Sequence, residues 1–208
     1  MIRALLTDFG GVLVRSRTDR TRRALEARLG LPSHSLENLV FGCEASLRGQ
    51  RGDISHEDCW KQIGLNLKLG SRMTVAEFYE QFFVEDFLDE ELLALIRSMR
   101  PAIKTGLISN AWDNGRHLFT AIFPIADAFD VMVISAEERV TKPDPRIYQA
   151  ALARLGVQAV EAVFVDDMPE NVRGAEALGI HGIHFQSSEQ AQREIRQLLA
   201  LPDRKPGF

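Results

Sequence analysis

The stretch LLTDFGGVLV, residues 5–14, decides how the rest of the chain is interpreted. It begins as a hydrophobic strand, reaches an acid at Asp8, and then turns through Gly10 and Gly11. A carboxylate at the end of a buried strand is costly unless another group pairs with it. The stretch therefore predicts a partner or a chemical role for Asp8, and it raises the question of why a glycine stands two residues later.

Short apolar runs alternate with helical patterns along most of the chain. These runs are nearly continuous in hydrophobicity, as is typical of strands that are buried on both faces. The predicted strands are Ala4–Thr7, Thr105–Ile108, Val131–Ile134, Ala162–Val165 and Gly182–Phe185. This alternation predicts an α/β fold, a Rossmann-like doubly wound parallel sheet with helices on both sides.

The helical patterns between the later strands have recognisable ends. In KPDPRIYQAALARLG, Asp144 has the place of an N-cap, Pro145 that of the first helical residue, and Gly156 ends the helix. PENVRGAEALG repeats this arrangement, with Pro169 early and Gly179 at the end. These ends support the alternation of strands and helices.

The stretch 15–85 breaks the alternation, because it has no convincing strand and several helical signals. Two pairs have the spacing of N-terminal caps before apolar residues: Ser55 with Asp58 and Thr74 with Glu77. We therefore predict a small helical domain at 15–85. It is inserted after the first strand of an α/β domain that comprises 1–14 and 86–208.

Length and composition limit the classes of protein that fit. A chain of 208 residues with 45% hydrophobic and 26% charged residues is typical of a soluble globular protein. Its net charge of −4 gives no reason to expect a nucleic acid as partner. The chain has no apolar run of the roughly 20 residues that a membrane helix needs, and its N-terminus lacks the layout of a signal peptide. We expect a cytoplasmic protein without a membrane partner.

Other features of the chain are less informative. Cys43 and Cys59 match neither a disulfide framework nor a metal-binding spacing, and we expect both to be reduced. The tail PDRKPGF is expected to be frayed. For the oligomeric state we expect a monomer or a weak homodimer.

Polar residues stand where four predicted strands end. They are Asp8 after the first strand, Ser109 and Asn110 after the second, Lys142 a loop beyond the third, and Asp166 with Asp167 after the fourth. In open α/β sheets, ligands bind beyond the carboxyl ends of the strands. One polar strand end would mean little, but four successive ones predict a single site.

The residue types at this site favour phosphoryl chemistry. Asp8, Asp166 and Asp167 could offer oxygen ligands to magnesium (Mg2+), which would remove the repulsion between their charges. Lys142 could place a positive charge beside a phosphate or beside a nucleophilic carboxylate. Ser109 and nearby backbone N–H groups could donate to phosphoryl oxygens. Asp8 could then attack phosphorus and form an acyl phosphate, which water hydrolyses.

The order and spacing of these motifs resemble the haloacid dehalogenase superfamily of hydrolases. The matching segments are DFGGVL, LISN, KPDPRIY and VDDMPEN, and the resemblance covers almost the whole chain. The insertion resembles the helical cap of that superfamily. Within it, the chain is similar to the subgroup that includes sugar-phosphate phosphatases.

The resemblance implies a role for each site residue. It implies that Asp8 is the nucleophile and a magnesium ligand, and that Asp167 binds the metal directly. Asp166 would be a ligand or the partner of one, and Asn171 would support it. The candidate phosphate-binding residues are Ser109, Asn110, Lys142 and Gly11.

Gly10 departs from the pattern of the family. Phosphatases of this superfamily usually carry a second aspartate two residues after the nucleophile, where it acts as general acid and base. The backbone carbonyl of Gly10 could still face the metal, but the side-chain acid is missing. General acid–base catalysis is typically worth about 10²–10⁴-fold. Turnover is then slower, or the substrate has a good leaving group, or another group donates the proton.

Three functions agree with these residues. The favoured one is a magnesium-dependent hydrolase that dephosphorylates a small phosphorylated metabolite, such as a sugar phosphate. The second is a 2-haloacid dehalogenase, in which Asp8 attacks carbon and no second aspartate is needed; retention of Asp166 and Asp167 argues against it. The third is a phosphate-binding or interaction module without turnover. Gly10 motivates this third function, and the intact Asp8 and Lys142 oppose it.

Overall fold

A five-stranded parallel sheet forms the centre of the computed structural model, which describes residues 1–200. The strands are β1 (Ala4–Thr7), β2 (Val14–Ser16), β3 (Asp86–Leu88), β4 (Lys104–Ser109), β5 (Val131–Ile134), β6 (Ala162–Asp166) and β7 (His181–His184). The sheet has the order β5-β4-β1-β6-β7, and all its pairs are parallel. The predicted α/β fold is confirmed. Two predicted strands have the observed bounds, and the other three differ by one residue at one or both ends; the tail PDRKPGF lies outside the described residues.

The described residues contain eleven α-helices. They are α1 (Arg20–Leu29), α2 (Leu36–Phe41), α3 (Glu44–Gln50), α4 (His56–Asn66), α5 (Val75–Phe83), α6 (Glu90–Met99), α7 (Gly115–His117), α8 (Ser135–Glu138), α9 (Pro145–Leu155), α10 (Pro169–Glu176) and α11 (Ser188–Leu198). A π-helical turn at Leu118–Ile122 and 3-10 turns at Ala126–Ala128 and Ala159–Glu161 complete the list. No helix within residues 1–200 is both long and apolar enough to cross a membrane.

The central strand β1 explains the unbroken hydrophobic run at the start of the chain. Successive side chains of a strand point to opposite faces. Leu5 accordingly packs in the cluster beneath α6 and α11, whereas Leu6 packs in the cluster beneath α9 and α10. Both side chains are fully buried. Because all the strands are parallel, their carboxyl ends meet at one edge, and Asp8 leaves the sheet at that edge.

The predicted helix ends are largely found. Asp144 caps α9 by accepting a hydrogen bond from the backbone N–H of Arg146, and Gly156 ends this helix in the left-handed conformation. Thr74 and Glu77 form a reciprocal capping box on α5. The α-helical residues of α10 end at Glu176, and Gly179 closes the turn that follows with a φ of +89°. Its N–H donates to the carbonyl of Glu176 at 2.8 Å and that of Ile180 to Ala175 at 3.2 Å, so the predicted glycine end is found.

A short antiparallel pair, β2 with β3, joins the two ends of the helical segment between them. The sequence predicted no strand within 15–85, and the residues Arg15 and Ser16 of β2 correct this. Three residues are too few for a recognisable period, and the partner strand lies about 70 residues away in sequence. We call residues 17–85 the helical insert.

The helical insert has a hydrophobic core of its own. Its buried side chains include the aromatic residues Trp60, Phe78 and Phe82. The insert also lies against the carboxyl edge of the sheet, since a methyl group on Gly52 would overlap the carbonyl oxygen of Ala136, just beyond β5. The insert thus contacts, beyond β5, the same edge of the sheet at which Asp8 leaves β1.

The turn that follows β1 requires its second glycine. Gly11 has a φ of +76°, which L side chains rarely adopt, and a methyl group there would overlap the carboxylate of Asp167. Its backbone N–H donates to the carbonyl of Val14 at 2.9 Å. Gly10, in contrast, is exposed, and no atom lies within 4 Å of the position that its Cβ would occupy.

We expect Gly11→Ala to lower the free energy of unfolding by about 2 kcal/mol or more, since it combines left-handed strain with displacement of Asp167. Gly10→Ala is the matched control and should change it by no more than about 0.5 kcal/mol. Urea unfolding at neutral pH measures both. Equal losses in the two variants would contradict the assignment of the close contact to Gly11 alone.

Candidate active site

A buried lysine holds the centre of the site. The side chain of Lys142 is 1% exposed, and its Nζ lies 2.7 Å from Asp8 Oδ1 and 2.7 Å from Asp166 Oδ2. Both carboxylates are also buried. A buried charge is stable only when it is paired and hydrogen-bonded, and this lysine answers the question of what pairs with the acid at the end of β1.

Asp8 is fixed through one of its two oxygens. Oδ1 accepts from the ammonium of Lys142 and, at 2.7 Å, from the backbone N–H of Phe9. The backbone N–H of Asp8 continues the sheet by donating to Val165 at 2.9 Å. No residue in the described part of the chain donates to Oδ2, so this oxygen is open to a cation or to a phosphorus atom.

Asp166 is hydrogen-bonded through both oxygens. Oδ2 accepts from Lys142, and Oδ1 accepts from the backbone N–H of Met168 at 2.8 Å and from Asn171 Nδ2 at 3.0 Å. Of the two roles that the sequence left open for Asp166, this arrangement favours the partner of a ligand. Asn171, which the sequence predicted as a supporting residue, is buried and supports Asp166 directly.

Asp167 is the more open acid of the pair. Its carboxylate lies against Gly11, in space that any side chain at that position would fill. Oxygen atoms of Asp8, Asp166 and Asp167 lie within 4.8 Å of one another. Three carboxylates with one ammonium leave an excess of negative charge, and an all-oxygen donor set suits magnesium. The residues present therefore fit this ion.

Burial and mutual repulsion raise the pKa values of two of these acids. Burial, with the charges of Asp166 and Asp167, raises the pKa of Asp8 to about 7, although Lys142 opposes the shift. Burial, with the charge of Asp166, raises the pKa of Asp167 to about 6. Burial alone would lower the pKa of Lys142, but the two neighbouring carboxylates outweigh burial and raise it. Lys142 is therefore a fixed positive charge at neutral pH.

The remaining predicted residues have different positions. Ser109 is buried at the end of β4, and its hydroxyl has no hydrogen-bond partner within the described residues. Asn110 has both ends of its amide engaged: Oδ1 accepts from the N–H of Lys142 at 2.8 Å, and Nδ2 donates to the carbonyl of Lys142 at 3.1 Å. The N–H of Gly11 is bonded to Val14 and is not free for phosphate.

Sequence reasoning missed three neighbours of the site. His184, at the end of β7, has Nε2 3.0 Å from the carbonyl oxygen of Asp167. Trp112 and Asp113, just beyond Asn110, contact the helical insert. The structure turns the indole of Trp112 towards the insert. A polar residue at the carboxyl end of β7 is a signal that could have indicated His184, but no local signal indicates the other two contacts.

Two curated relatives match over much of the chain. Acyl-CoA dehydrogenase family member 10 of Mus musculus is 30% identical over 207 residues, which are 96% of this chain and 19% of that protein. Sesquiterpene phosphatase astK of Aspergillus oryzae is 30% identical over 170 residues, which are 79% of this chain and 85% of that protein. The chain thus spans a small part of the first relative and most of the second.

Solved structures share the fold at low sequence identity. A HAD family enzyme of Bacteroides thetaiotaomicron, solved with magnesium and inorganic phosphate, has a TM-score of 0.71 and 22% identity, over 90% of this chain and 96% of that one. L-2-haloacid dehalogenase of Xanthobacter autotrophicus has a TM-score of 0.64 and 19% identity, over 96% and 83%. The fold alone therefore does not separate phosphatases from dehalogenases.

The family itself is decided by a match along most of the chain. The haloacid dehalogenase-like hydrolases match residues 2–179, which include Asp8, Lys142 and the pair Asp166–Asp167. With these acids and the lysine joined at the carboxyl edge of the sheet, the chain belongs to the haloacid dehalogenase-like hydrolases.

Proposed function

We propose that this protein is a magnesium-dependent phosphatase of a small phosphorylated metabolite, with Asp8 as the nucleophile. The observation that carries the proposal is the pair Asp166–Asp167, placed beside Asp8 with carboxylate oxygens within 4.8 Å. Attack on a carbon–halogen bond does not require a metal ion, so it gives no role to this group of acids. The relative from Aspergillus oryzae is also a phosphatase by name, and sugar phosphates are the substrate class that we favour.

The reaction proceeds in two displacements at phosphorus. A carboxylate oxygen of Asp8 attacks the phosphorus atom, the bond to the substrate oxygen breaks, and an aspartyl phosphate forms. Water then attacks the same phosphorus atom, which releases inorganic phosphate and restores the carboxylate. We propose that Ser109, which is buried at the end of β4 and whose hydroxyl has no partner within residues 1–200, donates to a phosphoryl oxygen.

The protonation state of Asp8 decides whether it can act as a nucleophile. A pKa of about 7 leaves much of this carboxyl protonated at neutral pH, and a protonated acid is a poor nucleophile. Asp8 and Asp167, with Asp166 behind them, would hold magnesium, which would supply positive charge to stabilise the carboxylate and the phosphoryl oxygens. Lys142 holds the carboxylate in place through Oδ1.

The missing acid at Gly10 limits the leaving groups that this site expels. We propose that the substrate oxygen departs with little help from a proton donor. Gly10 is the open position of the turn after β1, and it carries no side chain. That its carbonyl faces the metal stays a prediction.

The helical insert contacts the carboxyl edge of the sheet. We propose that the stretch 15–85 acts as a cap domain on the α/β domain formed by 1–14 and 86–208, and that it selects the substrate by shape. Closure of such a cap excludes water from the reacting groups. The contact between Gly52 and the carbonyl of Ala136 agrees with a closed arrangement.

The first test is phosphate release from a panel of phosphomonoesters. We expect release that requires magnesium, is abolished by a chelator, and falls at least about 10³-fold in Asp8→Asn, since the amide cannot form the aspartyl phosphate. Asp8→Asn keeps the side-chain shape, so circular dichroism should show an unchanged fold. Absence of release from every ester would overturn the proposal, and chloride release from 2-haloacids would then establish the dehalogenase.

A second prediction concerns the missing acid. Gly10→Asp should raise kcat on alkyl phosphates by at least about tenfold, within the range of general acid catalysis, because the side chain has open space. On p-nitrophenyl phosphate, whose leaving group needs no proton, the gain should be small. Gly10→Asn has the same shape without the acid and should give no gain. An equal gain on both substrates would argue against a proton-transfer role.

A third prediction concerns pH and metal. The pKa values of Asp8 and Asp167 are raised in the folded protein, so protonation of these two groups favours the folded state. This contribution to stability is complete below the pKa of unfolded carboxyl groups and is lost as pH rises through about 6 and 7. Metal-free protein should therefore have a lower Tm at pH 8 than at pH 5 from these two groups. Magnesium should raise Tm much more at pH 8 than at pH 5.

The variant Asp167→Asn isolates this effect. It should raise the Tm of metal-free protein at pH 8 by about 2–4 °C for each kcal/mol of repulsion removed, and it should lose most of the response to magnesium. Glu80→Gln, an exposed acid on α5, is the matched control and should change neither. A full magnesium response in Asp167→Asn would rule out this residue as a ligand.

A further inference from the structure

A short segment just beyond β4 joins the active site to the helical insert. We call residues 110–114 the strap. Its first residue, Asn110, holds the backbone of Lys142 through the two hydrogen bonds of its amide. Its second residue, Ala111, is fixed by the hydroxyl of Ser135, which accepts from the N–H at 3.0 Å and donates to the carbonyl at 3.1 Å. The strap is thus firmly attached at the active-site end.

The middle of the strap is buried in the helical insert. Trp112 is 9% exposed and, among the buried residues of the insert's hydrophobic cluster within the described chain, it alone comes from outside the insert. Its ring centroid lies 5.4 Å from that of Trp60 and 6.0 Å from that of Phe41. A methyl group on Gly49 would come within 2.7 Å of the Trp112 ring. The fit leaves no room for another side chain.

Two polar contacts add to this packing. The indole Nε1 of Trp112 donates to the carbonyl oxygen of Ser46 in α3 at 3.3 Å. The next residue, Asp113, accepts from the N–H of His56, the first residue of α4, at 2.8 Å. A carboxylate at a helix N-terminus is favourable because it pairs with free N–H groups and with the helix dipole. The strap therefore engages two helices of the insert.

We propose that the strap couples the seating of the helical insert to the position of Lys142, with Trp112 and Asp113 as positioning residues for phosphoryl transfer. This inference rests on the proposed phosphatase function. Asn110 and Trp112 are separated by one residue, and consecutive Cα atoms are a fixed 3.8 Å apart, so a shift of the insert cannot be absorbed between them. When the insert moves away, the strap draws Asn110 from Lys142, and the ammonium loses its place beside Asp8.

The consequence is that Asp8 is held for attack only while the insert covers the site. Lys142 pairs with both Asp8 and Asp166 at 2.7 Å, and a small displacement weakens both pairs together. Substrate could therefore enter an open site without meeting a fully assembled nucleophile. The effect should fall on the chemical step rather than on substrate binding.

Kinetics of strap variants test the coupling. Trp112→Phe keeps a ring in the insert but loses the bond to Ser46, and Asp113→Ala loses the bond to α4. We expect each to lower kcat by about tenfold while KM changes less than twofold. The matched control is Phe78→Leu, in the same cluster, whose ring contacts are with Trp60 and Phe82. It should lower Tm and leave kcat unchanged.

A double-mutant cycle distinguishes coupling from a general loss of stability. Asn110→Ala breaks the clamp on Lys142, so adding Trp112→Phe should then cost little more in kcat. Independent, multiplying losses would overturn the proposal, as would strap variants that lower Tm but retain wild-type kcat. If wild-type protein hydrolyses no ester, the proposed phosphatase function is wrong. The coupling of the insert to Lys142 is then tested by a measurement that needs no turnover.

Tryptophan fluorescence supplies that measurement, because Trp60 and Trp112 are the two tryptophans of the chain. Trp60→Phe leaves Trp112 as the single probe, and its Tm shows whether it folds. We expect magnesium with orthovanadate to reduce acrylamide quenching of Trp112, since coupling is reciprocal. Adding Asn110→Ala should abolish this response. The coupling would be overturned if the variant with Asn110→Ala kept the full response, or if Trp60→Phe alone showed no response.

Discussion

The structure depends on one buried ammonium group between two buried carboxylates. Lys142 contacts Asp8 at the end of β1 and Asp166 at the end of β6, and its backbone is held by Asn110 at the end of β4. Three parallel strands are thereby fixed to one another at their carboxyl edge. Without these contacts, the two carboxylates would repel each other and the buried lysine would have no partner. An unpaired charge would be destabilising at this buried position, whereas the paired charges stabilise one another. The same burial raises the pKa values of Asp8 and Asp167. The three acids together offer an all-oxygen donor set that a divalent cation would fit.

The sequence predicted the parts that local patterns determine. The hydrophobic runs of the five sheet strands are each continuous in the chain, and the acids, the lysine and Asn171 stand at recognisable places beyond them, so fold and site could be located without coordinates. The parts that it missed are contacts between distant segments. β2 pairs with β3 across the whole insert, and Trp112 packs into helices that precede it by about 50 residues or more. No period or motif within one segment indicates such partners.

The adjacent residues Gly10 and Gly11 are under different structural constraints. Gly11 is required by its backbone conformation and by the carboxylate of Asp167, so the architecture of the acid cluster fixes it. Gly10 has neither constraint, and the fold would accept a side chain there. Its lack of an acid is therefore a property of the chemistry rather than of the packing. Family membership follows from the match over residues 2–179, whereas this position separates the chain from the usual phosphatase pattern.

The β2–β3 pair has a consequence for the history of the molecule. Ser16 lies opposite Asp86 in the pair, so the chain leaves the α/β domain and returns to it at neighbouring points. Closing a loop costs entropy that grows only slowly with its length, and segments whose ends lie together can be exchanged without disturbing their host. A helical segment of another length or sequence could replace residues 17–85 while the sheet and its acids stayed as they are. With the proposed role of the insert in selecting substrate, substrate preference would evolve by replacement of this segment while the acids of the α/β domain are retained.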